Sequence, residues 1–239
     1  MSLTKIAIVV PFYNENDNLI FFVKEWEKFL DKNINLKKVL FFYFINDGSI
    51  DNSKDSLKKN IKKLKYFIVD KVNSGHGDTC KYGYELIIKS NINYSHILQI
   101  DSDNQCDPKY FIEFIDQIKK NNFKFIFGYR KKRYDGYLRS IISKLLSLSI
   151  YLKKFVFVKD LNTPYRLMET NSLRNVMNLM NKKKKYKDII LFNCVLTYEI
   201  NNIYQIKWID INFRKRKFGK SKFNFFDMFR IYLNLFLKI

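Results

Sequence analysis

With 239 residues, 47% of them hydrophobic, and only 7 Gly and 3 Pro, the chain can close one substantial core and has no Gly/Pro/Ser-rich linker to divide it. Three cysteines, Cys80, Cys106 and Cys194, stand too far apart for a disulfide framework or a zinc site and read as reduced core thiols of a cytoplasmic protein. A formal charge of +21 points to an anionic partner, either nucleic acid or a lipid surface.

In chain order, Ile6 to Val10 is a continuous apolar run closed by Pro11. It is too short for a leader peptide and reads as a buried first strand. A helix follows from about Asp17 to Leu30, with Leu19, Phe22, Val23, Trp26, Phe29 and Leu30 on one face. Val39 to Ile45 is a second strand closed by Asn46-Asp47-Gly48-Ser49, after which Asp51 can cap a helix carrying Leu57, Ile61 and Leu64. Tyr66 to Val69, His96 to Ile100 and Phe123 to Phe127 read as further strands, and Gly77 to Lys89 and Pro108 to Lys120 as helices. This alternation predicts an α/β fold with a mostly parallel sheet and right-handed crossovers. Beyond it, Tyr137 to Tyr151 is apolar and helical in pattern. Ile189 to Tyr198 fits a helix without requiring one, and Ile203 to Phe213 fits a strand. From Phe223 to Ile239 the polar residues Asp227, Arg230, Asn234 and Lys238 recur every three or four positions. That pattern makes a C-terminal amphipathic helix, 223–239, distinct from a domain spanning 1–222. No apolar run approaches the ~20 residues of a spanning helix.

The chemistry gathers where strands end. Asp101-Ser102-Asp103 follows His96 to Ile100 directly, and two carboxylates at such an end can hold a hard divalent ion that also takes substrate phosphates. Pro11 to Glu15, Asn46 to Ser49 and Asn73-Ser74-Gly75 fall on the same predicted sheet edge. Downstream come Gly128-Tyr129-Arg130, Arg139 with Ser143, Asp160-Leu161-Asn162-Thr163-Pro164-Tyr165-Arg166, and Arg216 to Lys222. Together, in this order, these segments resemble glycosyltransferase family 2 with its GT-A (Rossmann-like) fold. Within it they are most similar to the polyprenyl-phosphate, dolichyl-phosphate-mannose-synthase-like branch. The resemblance runs from about Ile6 to Phe223.

It implies that Pro11, Tyr13, Glu15, Asp47 and Asn73 line the nucleotide. Asp103 and Gln105 would hold Mg²⁺ or Mn²⁺, with Asp101 on the nucleotide-sugar side or sharing the ion. Arg130 and Arg139 would meet acceptor or diphosphate oxygens, and Arg166 and Arg216 would complete a cationic surround, since guanidinium forks suit phosphate. Two positions depart from the family pattern: Asn46, where an acid is expected, and the variant Thr163-Pro164-Tyr165-Arg166.

The expected reaction moves a sugar, with inversion, from a UDP- or GDP-linked donor to a polyprenyl phosphate at the cytoplasmic face of a membrane, where the protein would sit peripherally. A lipid phosphate is already an anion and needs orientation rather than a base. A glycan or other hydroxyl acceptor, the alternative, would need a carboxylate, for which Asp160 and Asp188 are the candidates. His76 and His96 read as ordinary structural residues. An RNA-binding protein is the distant alternative; the lysine clusters favour it, but no RNA-binding signature accompanies them, and no nucleic-acid partner is expected.

Overall fold

A computed structural model describes residues 4–134, 137–186, 189–219, 233 and 235–238. Its strands are β1 (Ile6–Phe12), β2 (Leu40–Asn46), β3 (Tyr66–Asp70), β4 (His96–Ile100), β5 (Phe125–Arg133), β6 (Tyr165–Glu169) and β7 (Ile206–Phe213). Its helices are α1 (Asn16–Lys32), α2 (Ile34–Val39), α3 (Ser53–Asn60), α4 (His76–Ile88), α5 (Tyr110–Asn121), α6 (Tyr137–Lys154), α7 (Thr170–Asn181) and α8 (Phe192–Ile203), with a 3₁₀ turn at Lys184–Tyr186.

The strands form one sheet in the order β3-β2-β1-β4-β6-β5-β7. Only β6 opposes its neighbours, β4 and β5; the other pairings are parallel. Because side chains alternate along a strand, Ile6, Ile8 and Val10 of β1 enter one core with Phe22, Trp26, Phe42, Phe44 and Phe111. Ala7 and Val9 enter the other, with Tyr84, Phe127, Val195 and Leu196. Helix α4 lies close on β1, and a Cβ at Gly83 would come within 2.7 Å of Val9 Cγ1.

The first strand runs one residue past Pro11, which sequence reading took as its end. Pairing with β4 stops at Val9, so Pro11 meets only β2, where Ile45 is its partner. A missing amide donor is tolerated at such a half-paired position. Helix α8 settles the open segment after Ile189 as helical. Strand β6 and helices α2 and α7 have no counterpart in the sequence reading.

The expected C-terminal helix lies largely outside the described residues. Of those described, Leu235 is buried in the core that holds Ala7 and Val9, and Phe236 accepts a 2.8 Å hydrogen bond from Lys153 Nζ of α6. Among the described residues no helix is long and apolar enough to cross a membrane.

Candidate active site

Four loops meet at the C-terminal ends of β1, β2, β3 and β4. The loop after β1 is zipped to the loop after β2: Asn14 N donates to Ser49 Oγ (3.0 Å), Glu15 N to Ser53 Oγ (2.8 Å), and Ile50 N to Asn14 Oδ1 (2.9 Å). Asn14 takes a left-handed φ of 52° to do so. Asn46, the departure from the family pattern, donates to Asp70 Oδ1 (2.9 Å) and accepts from Ser49 N (2.9 Å). An aspartate there would face Asp70 with like charge, which accounts for the amide.

Asp47 is 5% exposed at its side chain and is held by the loop after β3. Oδ1 accepts from Lys71 Nζ (2.6 Å) and Ser74 N (2.9 Å), and Oδ2 from Gly75 N (2.9 Å). Burial pushes its pKa up, but Lys71 and the Ser74 amide outweigh it and hold the carboxyl below its ordinary value. Asn73 returns the contact by donating to the Asp47 carbonyl (2.9 Å). Asp47 and Asn73 therefore brace one another at the edge. Pro11 is buried beneath it, and Tyr13 is half-buried.

Asp101 and Asp103 stand at the end of β4, as expected. Asp101 Oδ1 accepts from Gln99 Nε2 (2.8 Å) and lies 3.4 Å from His76 Nε2 at the start of α4. Burial first, and then the charge of Asp101, push the Asp103 carboxyl up to about 7. Between them and Gln105, Asn104 is buried in a left-handed conformation, φ 58°, with neither side-chain polar atom hydrogen-bonded. The sequence does not reveal that His76 comes this close to Asp101. Its place at a helix start three residues after Asn73 was the available signal.

The chain returns across this edge after β7. Arg214 N donates to Gln105 O (2.8 Å), and Gln105 Nε2 donates to Arg214 O (2.8 Å). Gln105, expected at the metal, thus has its amide engaged with the strap that leaves β7. The strap carries Arg216 between two acids: its guanidinium pairs with Glu15 and comes within 4.0 Å of Asp103 Oδ2. Arg216 thus stands at the edge beside Glu15 and Asp103.

Two other arginines are buried. Arg130, at a bulge in β5, makes a buried bidentate pair with Asp160, Nε to Oδ2 and Nη2 to Oδ1 both at 2.7 Å. Two of its guanidinium nitrogens are thus engaged inside the fold, by one of the two carboxylates, Asp160 and Asp188, that are the candidates for a hydroxyl acceptor. Arg166 is 1% exposed within the sheet, below the edge and not around it. Arg139 lies on α6 with its side chain outside the described set, and Asp188 lies outside the described residues.

An open α/β sheet with acidic and cationic side chains at the carboxyl ends of its parallel strands is a nucleotide-site architecture, here in its GT-A form. The model of the family "Glycosyl transferase family 2" matches residues 7–176, and the chain belongs to that family. It is 26% identical over 178 residues to the uncharacterized protein MJ0544 of Methanocaldococcus jannaschii, covering 70% of this chain and 73% of that one. It is 22% identical over 227 residues to the "Putative glycosyltransferase CsbB" of Bacillus subtilis (strain 168), covering 94% of this chain but only 63% of that protein's length. Among solved structures, glucosyl-3-phosphoglycerate synthase from Mycobacterium tuberculosis in complex with Mn²⁺, UDP and phosphoglyceric acid shares the fold. Its TM-score is 0.68 at 10% identity, over 98% of this chain and 78% of that one. The same enzyme in complex with Mg²⁺ and UDP gives 0.67 at 10% identity, over 98% and 79%.

Proposed function

We propose that this family 2 glycosyltransferase takes its sugar from a nucleoside diphosphate donor held through Mg²⁺ or Mn²⁺ and passes it, with inversion, to a polyprenyl phosphate. The observation that carries this reading is the convergence of Glu15, Asp47, Asp101, Asp103 and Arg216 on one strand-end edge. Among the described residues no three His, Cys, Asp or Glu side chains cluster to hold an ion by themselves. A two-carboxylate edge suits an ion whose remaining ligands are diphosphate oxygens and water. The raised Asp103 carboxyl and the unpartnered Asn104 amide fit a site that gains from a cation. When bound, the ion would stabilise the negative charge that develops on the departing diphosphate. The protein's own share is to hold the nucleotide between the braced loops at Asp47 and Asn73. Arg216 would exchange its contact with Asp103 for a diphosphate oxygen. UDP is the nucleotide in the similar structures' complexes, which favours a UDP-linked donor here.

The lipid acceptor and a cytoplasmic membrane surface are supported by α6. Leu145, Leu148 and Leu152 recur at helical spacing and are all exposed, Leu152 at 68%, while Ile150 on the other side is buried; Phe155, just past the helix in a left-handed conformation, is 83% exposed. Lys153 and Lys154 flank the stripe. An apolar face with lysines beside it suits the headgroup boundary of an anionic bilayer.

The test is a panel of UDP- and GDP-sugars incubated with Mg²⁺ or Mn²⁺ and short polyprenyl phosphates, with glycolipid detected by mass spectrometry. Sugar-phosphate lipid is the expected product. Transfer only to hydroxyl acceptors would overturn the acceptor assignment, and no metal-dependent donor turnover would overturn the donor assignment.

A further inference from the structure

A carboxylate that shares an ion must be aimed, and Asp101 follows the last residue of β4 with no strand pairing of its own. Besides His76 Nε2, 3.4 Å from its Oδ1, what aims it lies inside the sheet. Gln99 and Asp101 are two residues apart, so their side chains leave β4 on one face. On the antiparallel neighbour β6, the residue directly opposite Gln99 is Arg166. The three form a row: Arg166 Nη1 donates to Gln99 Oε1 at 2.6 Å, and Gln99 Nε2 donates to Asp101 Oδ1 at 2.8 Å.

The chemistry at each end leaves one orientation for the amide between them. A guanidinium only donates and an ionised carboxylate only accepts, so Gln99 must turn its oxygen to Arg166 and its nitrogen to Asp101. Gln99 is completely buried. The other partners of Arg166 are neutral: Leu161 O at 3.3 Å, Thr197 Oγ1 at 3.4 Å, and the Phe127 ring with its centroid 5.8 Å from Cζ. A buried guanidinium among neutral groups is costly. Here its charge is passed along the amide dipole towards Asp101.

We propose that Arg166 and Gln99 are positioning residues for Asp101, fixing the carboxylate before the cation arrives; this rests on reading Asp101 as a ligand or close neighbour of that cation. Hydrogen-bonding partners of this kind behind a metal-ligating carboxylate are typically worth about 10- to 100-fold in metal affinity.

The test is a double-mutant cycle with Gln99→Met, Arg166→Met and the pair, reading Mn²⁺ affinity of the UDP-saturated protein by electron paramagnetic resonance and folding by circular dichroism. Each single change is expected to weaken Mn²⁺ binding about tenfold or more, and the double change no further than the worse single, because the hydrogen-bonded route from Arg166 to Asp101 runs through Gln99. If a single variant fails to fold, the double variant decides, since removing both buried polar partners together leaves neither unsatisfied. A folded double variant with Mn²⁺ affinity within about twofold of wild type, losses that multiply, or a double variant that cannot fold would each overturn the proposal. Wild-type protein that binds no Mn²⁺ even with UDP present would instead strike the metal reading on which it rests.

Discussion

Burial and the neighbouring charge of Asp101 hold the Asp103 carboxyl up to about 7, so at pH 6 the folded chain keeps a proton that the unfolded chain, with a carboxyl near 3.8, has shed. Stability therefore falls as pH rises through that window, and the loss is complete above about 7. Asp103→Asn should abolish transfer yet raise the melting temperature of the metal-free protein by a few degrees at pH 8, with little change at pH 5. Equal shifts at both pH values would sink this account. Asp47 behaves in the opposite sense, because Lys71 and two backbone amides depend on its charge. Asp47→Ala should cost about 1–3 kcal/mol of stability and weaken nucleoside diphosphate binding measured by calorimetry. Unchanged affinity in the folded variant would show that the Asn73 loop needs no brace. The residue types at this edge were legible in the sequence because they cluster after apolar runs. Their partners were not: Asn46 makes sense only once Asp70, 24 positions on, lies beside it.

Strand β5 and the loop before β6 are joined by the Arg130–Asp160 pair, and this decides what an arginine substitution means. Arg130→Met alone should cost about 3–5 kcal/mol because it takes the bidentate cation from a buried carboxylate, while Arg130→Met with Asp160→Leu should recover part of that loss. Thermal melts of both variants check the stability, and transfer by the double variant checks the role. A folded but inactive double variant would return Arg130 to the substrate. Helix α6 makes a different prediction. Leu148→Ser with Leu152→Ser touches exposed positions, so stability should stay within about 0.5 kcal/mol while co-sedimentation with anionic vesicles falls. Undiminished vesicle binding would remove this face from the membrane. Helical period announced α6 in the sequence, but an apolar stripe looks the same whether it faces a core or solvent. Only the packing of Ile150 tells which side is which.

At the scale of the whole molecule, the parallel half was legible because each strand is a continuous apolar run followed by a helix. Strand β6 was not, because Tyr165–Glu169 is five residues long with a charged residue at its second position. Its arginine is accommodated by Gln99 across the ladder together with Leu161 O and Thr197 Oγ1, pairings no local pattern contains. The position of β6 also sets an order of assembly. It is synthesised after β5 yet lies between β5 and β4. Until it arrives, β4 offers an open edge and β5 has no seat on the sheet, so β5, β6 and β7 must join as one late cooperative unit. Pulse-labelling hydrogen exchange during refolding should find amides of β1 and β2 protected first, with those of β5, β6 and β7 following together. Protection of β5 ahead of β6 would contradict this. A nascent chain that has emerged only as far as α6 thus exposes the β4 edge as a template for unwanted pairing, and the interval before Tyr165 emerges is when this protein is most exposed to aggregation.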